Sequence, residues 1–320
     1  MAASFSVDIT YVPADCGSVI FGKSKAPDAF KSVNTAAHLR SVGCDSVAEH
    51  EALSAPANWR STTFDPGSVR NESLNVEVCN KVRDALANNL SAAPERPPFQ
   101  LILGGECCML PGILSAFWSY YASLGKRVGL VYIDADTDLH SPADASSTGN
   151  LGAQTLTHLA DAPGGLKSMK EFSRPDGRPL CDASNTVLFG LNMTAPINRR
   201  EHFAYLYEKH YRVVPSLSVA ANPVHQATQA LSYLEEQGMD IILVHLDVDA
   251  IDPGEFPLAN LPNYTGVQFE EMMKALEVLM AHKKTSALSV AEVNPDHDPG
   301  LSMTRMLSDE LVRILGRRHK

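Results

Sequence analysis

The sequence predicts an α/β fold: a three-layer α/β/α arrangement with a mostly parallel sheet at its centre. Two observations predict it. Short apolar runs rich in β-branched residues alternate with helix-patterned stretches along the 320 residues, the order expected when strands are joined by helical crossovers. Some of those runs, such as Ile241, Ile242, Leu243, Val244, His245 and Leu246, are nearly continuous in apolar character. A strand half-exposed to water would alternate, so these strands are expected to be covered on both faces.

The elements follow in order. Residues 5–12 supply a first strand, and residues 75–90 a helix. Residues 92–98 (AAPERPP) read as a surface connector before a strand at 100–105. A helix at 110–123 leads to a strand at 128–135. The turn-forming stretch 141–150 (SPADASSTGN) and the proline- and charge-containing stretch 173–183 read as loops. Strands at 186–192, 241–250 and 287–294 then alternate with helices at 224–237, 269–282 and 308–317. Alternation resumes after every loop, so residues 1–320 are expected to form a single domain.

Composition narrows the function. With 44% hydrophobic and 20% charged residues the chain reads as globular and soluble. A net charge of −10 argues against binding a nucleic-acid backbone. Arg317, Arg318, His319 and Lys320 form the one basic cluster and read as a solvated tail. The N-terminal residues lack a basic start, and Asp8 interrupts their apolar run, so no signal peptide is expected. No run of about 18 apolar residues occurs, so no membrane partner is expected. Cys16, Cys44, Cys79, Cys107, Cys108 and Cys181 are scattered, which fits reduced thiols in a cytoplasmic protein.

In open parallel sheets, ligands bind beyond the carboxyl ends of the strands. Four successive strands end there in acidic residues: Glu106 with Cys107 and Cys108; Asp134, Asp136 and Asp138; Asp247, Asp249 and Asp252; and Glu292 with Asn294. Asp134, Asp136 and Asp138 are spaced to point to one face of an extended chain, and Asp247 and Asp249 repeat the spacing. Such carboxylates would repel one another and raise their pKa values, a conflict that a divalent cation resolves. An oxygen-rich donor set suits Mn²⁺, Mg²⁺ or Ca²⁺. A bound cation would lower the pKa of a water molecule toward neutrality.

These segments resemble the ureohydrolase superfamily of arginases, agmatinases and formimidoylglutamases. Gly104-Gly105-Glu106-Cys107 stands where that family has GGDH, and Asp134-Ala135-Asp136-Thr137-Asp138 where it has DAHxD. His245 to Pro253 matches its xDxDxxDP block, and Glu292-Val293-Asn294-Pro295 its late EVNP-like segment. The resemblance implies an arginase-like fold and puts the family's binuclear Mn²⁺ ligands on Cys107, Asp134, Asp136, Asp138, Asp247 and Asp249. Cys107 and Asp136 stand where the family has histidine, so both imidazole ligands are gone. The site then holds more negative charge than two dications balance. One or two ions are expected, Mn²⁺ first, with Zn²⁺ or Fe²⁺ open on the Cys107 side. His140 or His245 could supply a compensating basic group.

The resemblance also implies roles. Asp138 matches the aspartate that orients the attacking hydroxide, and Glu292 the glutamate that pairs with a guanidinium. Asn150 lies in a TSGNLH-like loop whose terminal histidine is here Gly152, so His140 is expected to stand in as proton carrier and substrate contact. Met193 and Ala195 stand where arginases bind the α-amino group of arginine, which makes L-arginine a doubtful substrate. The expected activity is hydrolysis of a linear C–N bond in a small guanidino or amidino compound. Two alternatives remain: a binding or regulatory subunit of the same fold without hydrolysis, and an amide hydrolase or deacetylase. A homo-oligomer is implied by resemblance alone.

Overall fold

A computed structural model describes residues 5–318. Along the chain lie β1 (Ser6–Tyr11), α1 (Ala26–Ser32), α2 (Thr35–Ser41), β2 (Ser46–Glu51), α3 (Glu72–Ala92), β3 (Phe99–Leu103), α4 (Leu110–Ala122), β4 (Val128–Ile133) and α5 (Thr155–Leu159). They are followed by β5 (Thr186–Leu191), α6 (Arg200–Glu208), β6 (Arg212–Pro215), α7 (Ser216–Ala221), α8 (Pro223–Glu236), β7 (Ile241–Asp247), α9 (Phe269–Ala281), β8 (Thr285–Ala291) and α10 (Ser302–Arg317). The eight strands form one sheet in the order β2-β1-β3-β8-β7-β4-β5-β6. Every pair in it is parallel.

The period of two along each strand divides the core into two layers. Ile242, Val244 and Leu246 of β7 join one cluster with Phe30, Leu231, Leu276 and Leu311, from α1, α8, α9 and α10. Ile241 and Leu243 join the other, with Val82, Leu86, Ile113 and Phe117 from α3 and α4. All seven residues of β7 are buried, which is why that segment reads as a continuous apolar run.

The strand order places the site. Between β3 and β4 the chain passes over two positions that β8 and β7 later fill. The four strands ending in acidic segments are therefore the four adjacent central strands. The sequence identified these four and two others; β2 and β6, the two edge strands, were not foreseen. Their burial is low and irregular, so neither leaves an apolar run.

Other boundaries moved for identifiable reasons. α10 begins at Ser302 and not at 308. Asp298 starts it: its carboxylate accepts from the backbone N–H groups of Ser302 at 2.9 Å and Thr304 at 2.8 Å. The expected solvated tail is partly structured. Arg317 pairs with Glu277 at 2.6 Å. Arg318 lies over the rings of Phe99 and Phe5, at 4.8 and 5.7 Å, and donates to the carbonyl oxygen of Met280 at 2.7 Å. Thus the guanidinium closes the amino-terminal edge of the sheet; His319 and Lys320 lie outside the described residues. Among the described residues the six cysteines are all buried and free of disulfides, and no helix is long and apolar enough to cross a membrane.

Candidate metal centre

β3, β8, β7 and β4 deliver the residues at their carboxyl ends to one pocket. Cys107, Asp134, Asp136, Asp138, Asp247, Asp249 and Glu292 all line it, as does Asn150 from the loop after β4. The structure thus brings together every proposed metal ligand.

The geometry that does so differs from the expected extended phase. β4 ends at Ile133 and β7 at Asp247. The aspartates converge through turns beyond the strands. Asp134 Oδ1 accepts the backbone N–H of Asp136 at 2.6 Å, and Asp247 Oδ1 that of Asp249 at 2.8 Å. Each DxD segment is therefore curled by its own first carboxylate. Asp138 sits at φ 50° and Glu292 at φ 64°, a left-handed region that non-glycine residues seldom adopt and that occurs at functional sites.

Neighbouring groups fix the carboxylates. The Tyr132 hydroxyl donates to Asp138 Oδ2 at 2.6 Å. Asp249 accepts from the Ala135 N–H at 3.2 Å and from Asn263 Nδ2 at 3.0 Å. The Cys107 thiol donates to Asp247 Oδ2 at 2.6 Å. Burial first, and the surrounding carboxylates second, push the pKa of Asp134 and Asp249 well above the usual aspartate range. Burial raises Asp136 to about 6. The Cys107 thiol is raised by burial and then by Asp247.

The donor set fits a divalent cation. Cys107, Asp134 and Asp247 each offer one ligand atom, and these atoms lie within 4.8 Å of one another. Asp134 Oδ2 and Asp136 Oδ1 are buried and have no hydrogen-bond partner among the described residues. Buried carboxylate oxygens are costly when unpaired, and a hard cation satisfies oxygens of this kind.

Neither suggested histidine supplies positive charge. Burial pushes His245 down to about 3. This neutral ring bonds Ser289 Oγ at 2.8 Å and Cys107 Sγ at 3.3 Å and stacks on Tyr132. His140 is not among the residues lining the pocket. Its Nε2 meets the carbonyl oxygen of Ile197 at 3.1 Å and its ring packs against His202; burial lowers its pKa. The expected proton carrier is thus turned away from the carboxylates. Asp252 also leaves the cluster: its carboxylate closes a turn by accepting from the N–H groups of Gly254 at 2.8 Å and Thr265 at 3.1 Å.

The cation that the sequence reading missed is Lys23. It lines the pocket and is only 3% exposed. Its Nζ lies 2.7 Å from Glu292 Oε2 and 3.4 Å from Glu106 Oε1. Burial disfavours its charge, but Glu292 and Glu106 outweigh burial and hold its pKa above the usual lysine value. Glu106, 1% exposed, also accepts from the Gly17 N–H at 2.8 Å and the Cys108 thiol at 3.1 Å. The turn carrying Lys23 is clamped by Asp15, whose Oδ2 accepts from the N–H of Gly22 at 2.8 Å and the hydroxyl of Ser24 at 2.9 Å. Gly22 has φ 117°, and a Cβ there would lie 2.2 Å from Asn294 Oδ1. No apolar period or motif marks a lysine that turns inward, so the segment carried no signal.

The family model described as "Arginase family" matches residues 5–316. An arginase of Staphylococcus aureus is 24% identical over 301 residues, covering 93% of each chain. The arginase structure from Bacillus caldovelox superposes with a TM-score of 0.82 at 21% identity, covering 98% of both chains. The formimidoylglutamase structure from Bacillus subtilis gives 0.72 at 14% identity, covering 98% of this chain and 86% of that one.

Proposed function

The chain belongs to the arginase family, and from that premise we propose that it is a hydrolase using one or two divalent cations, Mn²⁺ first among them, to cleave a linear C–N bond of a guanidino or amidino compound. The observation that carries this reading is the convergence of acidic groups from four adjacent strands on one pocket, with two buried carboxylate oxygens unpartnered.

In this reading Cys107, Asp134, Asp136, Asp138, Asp247 and Asp249 hold the metal. When bound, the cation supplies an activated water and polarises the group under attack. Asp138 is the group that orients the water: Tyr132 already holds one of its carboxylate oxygens, which fixes the rotamer of the other. Glu292 and Asn150, both lining the pocket, contact the substrate. Cys107 also donates its backbone N–H to Glu292 Oε1 at 3.1 Å, so the substrate-facing carboxylate and the thiol are positioned together. Beyond the acidic residues and Lys23, the polar side chains lining the pocket are the neutral Ser18, Asn150 and Asn260, none of them suited to pair with an α-ammonium group, which disfavours L-arginine.

The test is metal content followed by product release. Purified protein supplemented with Mn²⁺, Zn²⁺ or Fe²⁺ is expected to retain a near-integral amount of one metal by mass spectrometry. It is then expected to release urea or ammonia from a panel of guanidino and amidino compounds. Metal at trace level after all three supplements would overturn the proposal.

A further inference from the structure

Glu292 faces the pocket with a cation already seated on it. Its Oε2 accepts from Lys23 at 2.7 Å and its Oε1 from the Cys107 N–H at 3.1 Å. Lys23 is not a surface residue that swings freely. It is 3% exposed, it is shared with the buried Glu106, and Asp15 and Gly22 fix its backbone turn. A guanidinium or amidinium ion docks on a carboxylate in-plane through paired N–H groups. To dock on Glu292 it would have to sit beside an ammonium in a site poorly screened by water.

We infer that Lys23 sets the charge of the substrate: the group presented to Glu292 and Lys23 is electrically neutral and carries a hydrogen-bond acceptor, as in an N-acylated guanidine or amidine. This rests on the hydrolase reading above and narrows it. An ammonium has three N–H donors. One of them goes to Glu292 Oε2, and Glu106 Oε1 lies 3.4 Å from Nζ as an ion-pair partner without a hydrogen bond, which leaves Lys23 an N–H to offer an acyl oxygen, while Glu292 still accepts from a neutral N–H. An acyl substituent withdraws electrons from the attached nitrogen and so removes the positive charge that Lys23 would repel.

The experiment compares two probes of the same shape, methylguanidinium and methylurea, by saturation-transfer NMR on the full chain loaded with Mg²⁺ or Zn²⁺. The native chain is expected to favour methylurea. Lys23→Met, which keeps the volume and removes the charge, is expected to shift the affinity ratio toward methylguanidinium by at least about 100-fold. Lys23→Met combined with Glu292→Gln is expected to lose that gain. If Lys23→Met does not fold, Lys23→Met with Glu106→Gln leaves one fewer buried carboxylate unpaired and serves in its place. A native chain that already favours methylguanidinium, or a ratio unchanged on removing Lys23, overturns the inference. The two proposals fail separately. A chain that hydrolyses a cationic guanidino compound keeps the hydrolase reading and sinks the role of Lys23. A chain that discriminates between the probes as described, yet retains no metal, does the reverse.

Discussion

On one side of the pocket Asp134, Asp136, Asp138, Asp247 and Asp249 face one another, and the nearest imidazole, His245, is held neutral. Beside them Glu292, whose charge also acts on Asp247, faces Lys23, which Glu106 also approaches. Both sides bury carboxylates at the ends of parallel strands. One has no cation of its own among the described residues, the feature on which the proposed metal binding rests. The other carries its own cation, covalently part of the chain. The difference teaches that acidity alone does not define a metal site: carboxylates with a lysine among them have a positive charge at hand, and those without one have none.

Substitutions on each side should therefore behave oppositely. The largest effect is expected at Lys23. Its change to Met in chelator-treated protein should cost about 3–5 kcal/mol of unfolding free energy, because it strands the buried carboxylate of Glu106 and the half-buried one of Glu292; urea unfolding at neutral pH measures it. Next, Asp134→Asn should weaken Mn²⁺ retention by more than about 100-fold, beyond the usual cost of altering a supporting group, as read by metal analysis after dialysis. The same Asp134→Asn variant, freed of metal, should be more stable than its parent by on the order of 1 kcal/mol, because it relieves repulsion among close carboxylates. Loss of stability there would show that the aspartate cluster is balanced internally after all. The smallest effect is expected at His140: His140→Gln should leave metal retention within about twofold, a difference worth less than roughly 0.5 kcal/mol, since the ring faces Ile197 and not the carboxylates.

The same contrast marks what could be read from sequence. The aspartate side is written locally. Asp134, Asp136 and Asp138 follow one buried strand, Asp247 and Asp249 another, and continuous apolar runs reveal both strands. Edge strands β2 and β6 escaped because half-exposed edges carry no such run. α1 and α2 escaped because each has only seven residues, with Asn34 at φ 62° between them. Lys23 escaped for a different reason. Its partners come from two other strand ends, and the inward turn is set by Asp15 and Gly22, contacts that no periodicity encodes. His140 was expected at the pocket only as a stand-in for the histidine that the resembling loop lacks at Gly152, whereas the chain turns at Asp138 and the ring faces Ile197.

The pairing of Lys23 with Glu292 spans 269 residues, and the sheet repeats that reach: β8, the last strand made, is inserted between β3 and β7 near its middle. A nascent chain emerging from the ribosome therefore cannot complete this pocket until β8 and Glu292 have been synthesised. Long-range closure of this kind is slow compared with local pairing. Until then the first half carries a lysine whose glutamate partner at 292 does not yet exist, and two sheet edges open toward each other with no strand between them. Such edges are where unfinished chains associate wrongly, and β7 and β8 are the strands that close the gap between them.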